Sequence, residues 1–195
     1  MELRKIGYEE FQKELYESYQ KDFPLSERDS IHALKKRMKN GNVEMIELID
    51  QGQIVSYAIF YRAKEAQYIL LAYLATMEQY RGSGYGTKFI EMLKIEYQSY
   101  KGILIEIEKR GMGKNEKDNE IRQKRYRFYE RLGFQDMPFY VKFPYSEMEI
   151  LLLKIQEQED PPEISELKKQ YRSVRSPIDG KILGKILVQL KNVEK

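Results

Sequence analysis

The stretch Thr76-Met77-Glu78-Gln79-Tyr80-Arg81-Gly82-Ser83-Gly84-Tyr85-Gly86-Thr87 decides how this chain is read. Before it, Gln67 to Thr76 is nearly all apolar (Ile69, Leu70, Leu71, Ala72, Tyr73, Leu74), the pattern of a strand buried on both faces in mid-sheet. After it, Phe89, Ile90, Leu93 and Tyr97 keep helical spacing and predict a helix from Thr87 to Tyr100. The glycines between let the backbone turn tightly and approach a ligand with no Cβ in the way. Successive amides at a helix N-terminus, with the helix dipole behind them, form an anion site, and a pyrophosphate is the natural occupant.

Two familiar phosphate loops do not match. A P-loop ends in Gly-Lys-Ser/Thr, whereas here Gly86 is followed by Thr87 and only then by Lys88. A dinucleotide loop of the form G-x-G-x-x-G needs its third glycine one position later than Gly86. Glu106 does stand where that fold places its ribose-binding acid, but the preceding strands form a hairpin and not a βαβ repeat. A tight strand-to-helix turn with no ligand is the plain alternative.

Outward from the loop, the apolar positions Tyr8, Phe11, Leu15 and Tyr19 predict a helix over 8–20, interrupted by Phe23-Pro24-Leu25. A second helix carries Ile31, Leu34 and Met38 on one face, with Asp29 or Ser30 as its cap and Gly41 at its end. Val43 to Ile49 and Ile54 to Tyr61 read as strands joined by the turn Asp50-Gln51-Gly52-Gln53. Beyond the glycine loop and its helix come a strand Ile103 to Glu108, a loop Lys109 to Asn119 and a helix Glu120 to Leu132 closed by Gly133. Strands Phe139 to Phe143 and Glu147 to Lys154 follow. This order predicts a mixed α/β fold with a mostly antiparallel central sheet flanked by helices, over 1–154. Residues 155–195 form a C-terminal extension: a linker Gln156 to Pro162, a helix with Ile164, Leu167 and Tyr171, a turn Pro177 to Gly180, and a strand within Ile182 to Leu190. That extension packs on the domain or adds a strand to a second subunit, making a homodimer.

Arg81-Gly82-Ser83-Gly84-Tyr85-Gly86 resembles the R/Q-x-x-G-x-G/A segment of the GCN5-related N-acetyltransferase family, GNAT. Tyr80-Arg81-Gly82 is similar to the family's entry to that loop, and Arg127-Phe128-Tyr129-Glu130-Arg131-Leu132-Gly133-Phe134 to its FYEKLGF helix ending. The element order over residues 1 to about 154 agrees with the family as well. The resemblance implies acetyl-CoA as cosubstrate. Leu74, Ala75 and Thr76 would offer backbone groups to the pantetheine arm, and Arg81, Gly82, Ser83, Gly84, Tyr85, Gly86 and Thr87 would hold the pyrophosphate. It also implies transfer of an acetyl group to an amine of a small molecule, peptide or protein by direct attack, with Tyr129 as the acid for the leaving sulfur. A non-catalytic acyl-CoA binding or sensing domain is the alternative; it would keep the loop and not need Tyr129. The chain departs from many relatives at Arg122 and Arg125, where they carry asparagine and alanine, and is closer to a branch with a basic helix there.

Direct attack suits the composition. The chain has no cysteine and one histidine, His32, so a thiol nucleophile and a metal cluster are not expected, and a Ser-His-Asp triad is disfavoured. A phenol with a reference pKa of about 10 is protonated at neutral pH and can donate; packing is the plain role for the same ring. Glu106 and Glu108, two apart on a strand, share a face and are candidates for taking the amine proton, or are simply a solvated strand end. Glu78 is a weaker base candidate, and Arg81 could meet a CoA phosphate. The basic residues between Lys109 and Arg127 suit the adenosine 3′-phosphate, an acidic acceptor or a solvated helix face. Net charge is +3, which does not point to nucleic acid. No apolar run approaches the ~20 residues that span a bilayer, and none of signal-peptide type follows Lys5, so a cytoplasmic location is expected.

Overall fold

In the computed structural model the described residues are 1–25, 27–143, 146–156, 163–175 and 189–192. They fall into two compact units, residues 1–65 with 71–96 and residues 66–70 with 97–195. The architecture is mixed α/β with antiparallel strand pairing, as the element order predicts.

In the first unit β2 (Val43–Asp50) and β3 (Gln53–Tyr61) form the expected hairpin, with Asp50 opposite Gln53. Both strands are largely buried, and most of their residues are apolar. A strand absent from the sequence reading, β1 (Glu2–Ile6), pairs antiparallel with β2. Its Glu-Leu-Arg-Lys-Ile pattern looks too polar for a strand, but the charges are spoken for. Arg4 stands opposite Glu47 and binds it at 2.6 Å, and Lys5 reaches Glu96 at 2.7 Å. Glu47 is buried with its Oε1 unpartnered, and burial pushes its carboxyl up against the opposing pull of Arg4.

The helix expected over 8–20 is two helices, α1 (Tyr8–Glu14) and α2 (Tyr16–Asp22), broken at Leu15. Phe11, Leu15 and Tyr19 all enter the core together with Leu34 of α3 (Ile31–Lys39). Ser30 caps α3 by accepting from the Ala33 amide at 3.2 Å. Leu71–Thr76, the part of β4 (Tyr68–Thr76) in this unit, lies beside β3, where Ser56 bonds Thr76 at 3.0 Å. A 3-10 turn (Glu78–Tyr80) leads into the glycine loop and α4 (Tyr85–Glu96), which buries Phe89, Ile90 and Leu93.

The second unit orders its strands β5 (Gly102–Glu108), β7 (Glu147–Lys154), β6 (Gln135–Lys142), β8 (Gln189–Asn192). β6 begins earlier than its apolar residues suggest, because Gln135 and Asp136 already pair with Leu152 and Leu151 before the register shifts near Pro138. Helix α5 (Glu116–Arg131) starts four residues before the expected Glu120. Asn115 caps it by accepting from the Asp118 amide at 2.9 Å, and Asp118 accepts in return from the Lys114 amide at 2.9 Å. Helix α6 (Ile164–Arg175) buries Leu167 and Tyr171. Of the expected strand Ile182 to Leu190 only Gln189 and Leu190 fall in β8; residues 182–188, the turn 177–180 and the linker 157–162 lie outside the described residues.

Candidate active site

The glycine loop is built from backbone and braced from beneath. Gly82 and Gly84 have φ of 81° and 84°, the left-handed region that side chains disfavour. A Cβ built on either would meet nothing within 4 Å, so these glycines are required by conformation and the space in front of them is open. Arg81 to Gly84 are exposed. The helix starts two residues earlier than its apolar spacing suggests, so Tyr85, Gly86 and Thr87 form the first turn of α4. The first intrahelical bond is donated by Lys88 to the Gly84 carbonyl at 3.1 Å, which leaves the amides of those three residues without partners inside the helix. No acid stands in that first turn, nor in that of α3, whereas the first turns of α1, α2, α5 and α6 are acidic.

Two side chains at the loop are tied to acids of the same unit. Arg81 donates from Nε to the Thr76 carbonyl at 3.1 Å and pairs with Asp22 at 2.5 Å. Asp22 also accepts from Tyr57 at 2.8 Å, so the end of α2 anchors the loop's entry. Tyr85 donates to Asp50 at 2.8 Å and packs edge-on against Tyr80. Arg81 is therefore a brace for the loop. Leu74, Ala75 and Thr76 are partly exposed, in contrast to the buried Tyr68–Leu71 at the other end of β4.

In the second unit, Glu106 and Glu108 both emerge on one face of β5, partly exposed between buried neighbours. They are held by different chemistry. Glu108 pairs with Arg125 and, at 3.8 Å, with Arg122, both on α5. Glu106 accepts a hydrogen bond from Tyr171 of α6 at 2.5 Å. Tyr129 follows Arg125 by one helical turn. The end of α5 sets its position: the Gly133 amide bonds the Glu130 carbonyl and the Phe134 amide bonds the Tyr129 carbonyl, at 3.0 and 3.1 Å. Gly133, at φ 90°, makes this left-handed cap, and Phe134 packs its ring 5.2 Å from that of Tyr129. No group among the described residues bonds the Tyr129 hydroxyl. Burial pushes that hydroxyl up to about 12, with Arg125 pulling the other way, so it is protonated at neutral pH.

All the loop and β4 candidates thus lie in the first unit, and Glu106, Glu108 and Tyr129 in the second. Sequence reasoning missed Asp22, which lies 59 residues from Arg81, and Tyr171, which lies 65 residues from Glu106. No local pattern marks either one. Arg122 and Arg125 stood out only as departures, without their link to Glu108. Among the described residues no group of three or more His, Cys, Asp or Glu side chains could hold a metal ion, and no helix is long and apolar enough to cross a membrane.

The family model for an acetyltransferase (GNAT) domain matches residues 43–136. Several solved structures share the fold. A GNAT-family protein from Bacteroides thetaiotaomicron is 19% identical with a TM-score of 0.68, over 88% of this chain and 95% of its own. The aminoglycoside 6'-N-acetyltransferase from Enterococcus faecium is 16% identical with a TM-score of 0.62, over 82% of this chain and 100% of its own. Arabidopsis thaliana NAA60, in complex with acetyl-CoA, is 14% identical with a TM-score of 0.58, over 78% of this chain and 97% of its own. No curated protein sequence matches the chain.

Proposed function

We infer that this chain, a member of the GNAT acetyltransferase family through its residues 43–136, moves an acetyl group from acetyl-CoA to an amine. The observation that carries the reading is the start of α4: an open glycine loop, three helical amides without intrahelical partners, and no acid in the first turn. A helix end of this kind lacks an anion, and a pyrophosphate supplies one.

Transfer needs no covalent enzyme intermediate. The amine nitrogen attacks the thioester carbonyl carbon, the C–S bond breaks, and the products are an acetamide and free CoA thiol. Tyr129 gives its phenolic proton to the leaving sulfur; its raised pKa keeps that proton in place until it is needed. The proton lost by the amine goes to a carboxylate, and we assign Glu106. Glu108, clamped by Arg122 and Arg125, orients α5 instead. Proton exchange with solvent then resets both groups. The acceptor is a primary amine on a small molecule, a peptide or a protein, and solved relatives in fold include an aminoglycoside acetyltransferase.

Calorimetric titration of acetyl-CoA and CoA into the wild type and Gly86→Asp tests the loop. Gly86 lies inside α4 with no positive φ, so an aspartate there is compatible with the helical backbone and suits the helix dipole. It also places a negative charge where the pyrophosphate sits. We expect micromolar-range binding to weaken by roughly 100-fold or more, about 2.7 kcal/mol, with no loss of thermal stability. Unaltered binding by the variant would overturn the loop assignment, and a wild type that binds neither ligand would overturn the function.

A further inference from the structure

We propose that Tyr171, on the C-terminal helix α6, is a positioning residue for acetyl transfer and acts by holding Glu106. The proposal rests on the assignment of Glu106 as the base on the acceptor side. α6 buries Leu167 and Tyr171, four residues apart on one face, at 2% and 0% exposure. For packing alone a phenylalanine would serve as well. The hydroxyl is what packing does not explain, because a polar group taken out of water needs a partner. Its partner is a carboxylate on a distant strand, Glu106 Oε1, at 2.5 Å.

The kind of partner matters to the chemistry. A guanidinium, as at Glu108, answers a carboxylate's charge with charge. A phenol answers it with one directed bond. A carboxylate offers about four lone-pair sites, and the bond from Tyr171 fills one of them, on Oε1, in a fixed direction. Glu106 and Glu108 share one face of β5, yet one is tied to α5 by ion pairs and the other to α6 by a neutral donor. On this reading the segment after Lys154 belongs to the transferase machinery, although it follows the last residue of the matched family domain.

A double-mutant cycle of Tyr171→Phe and Glu106→Gln tests this in the full chain. Thiol release from acetyl-CoA is measured with a panel of primary amines, alongside CoA affinity and the thermal midpoint of each variant. We expect Y171F to lower kcat by about tenfold, to leave KM for acetyl-CoA and CoA affinity unchanged, and to cost nothing further in the E106Q background. A Y171F enzyme with the wild-type kcat would overturn the proposal. So would an equal loss in the E106Q background, or a loss that follows CoA affinity or the thermal midpoint, since each means Tyr171 acts other than through Glu106. These outcomes leave the functional reading standing. A wild type that neither binds acetyl-CoA nor releases thiol would remove both.

Discussion

The glycine loop of the first unit and the acidic end of β5 in the second are both candidate machinery, and they are made in opposite ways. The loop presents backbone: amides, two left-handed glycines, and two side chains tied to Asp22 and Asp50. The β5 end presents side chains, and what each can do is decided by a partner on another element, Arg122 and Arg125 for Glu108, Tyr171 for Glu106. A backbone site is specified by a few contiguous residues, because conformation and amide direction are local properties. A side-chain site depends on charge and donors that arrive from far along the chain. The loop was therefore readable from twelve residues, while the roles of two glutamates spaced two apart were not.

Several measurements would break or sharpen that contrast. Gly86→Asp carries the largest expected effect, on the backbone side. On the side-chain side, Tyr129→Phe should lower kcat by about 100-fold or more while leaving KM for acetyl-CoA unchanged, because it removes a proton donor and keeps the ring packed on Phe134. The pH profile adds a check with a definite sign. The Tyr129 hydroxyl is raised to about 12, so the acid form is fully present at lower pH and is lost only as pH rises through that value. An alkaline fall in kcat centred near pH 9 would belong to another group and should survive in Tyr129→Phe; its loss in that variant would mean that Tyr129 titrates below its raised value.

The two glutamates can be separated next. Glu106→Gln should lower kcat by about 100-fold. Glu108→Gln should cost only a few-fold in kcat and instead loosen α5, since the part-buried Arg122 loses one of its carboxylates; thermal melts of the two variants, read beside their rates, decide it. The reverse ranking in kcat would exchange their roles.

The smallest expected effect separates the units by acid. Asp118 is lowered, first by the Lys114 amide, and Glu147 is lowered, first by its hydrogen bond from Lys109. Depressed carboxyls stabilise the fold above their unfolded value, about 4, and that contribution fades as pH falls through the folded one. Glu47 is raised by burial, so its charge opposes folding above the unfolded value and protonation relieves the strain as pH falls. Amide protection, referenced to the intrinsic exchange rate at each pH between 6 and 3, should therefore fall first at the start of α5, near Asn115 to Asn119, and not in β2. An earlier loss of protection in β2 would show that the Arg4–Glu47 pair outweighs the burial of Glu47.

Much of the fold was legible. The apolar runs of β2, β3 and β5, the turn at Asp50–Gln53 and the Gly133 cap appear where patterning and turn chemistry predict. The misses share a cause. β1 is a strand because Arg4 and Lys5 find Glu47, Glu44 and Glu96, and its sequence alone looks like a charged leader. The break at Leu15 and the early start of β6 depend on packing and pairing with residues elsewhere in the chain.

By itself the sequence determined the hairpin, the strand–loop–helix at 76–87, the family resemblance and the position of Tyr129, because periodicity, glycine conformation and helix capping act within a few residues. Only the tertiary structure decided that Arg81 braces the loop through Asp22, that two arginines clamp Glu108, and that a tyrosine from the C-terminal helix holds Glu106. Those decisions are electrostatic and hydrogen-bonded. Such forces are set by distance in space, and the folded chain brings together groups that the sequence keeps dozens of residues apart.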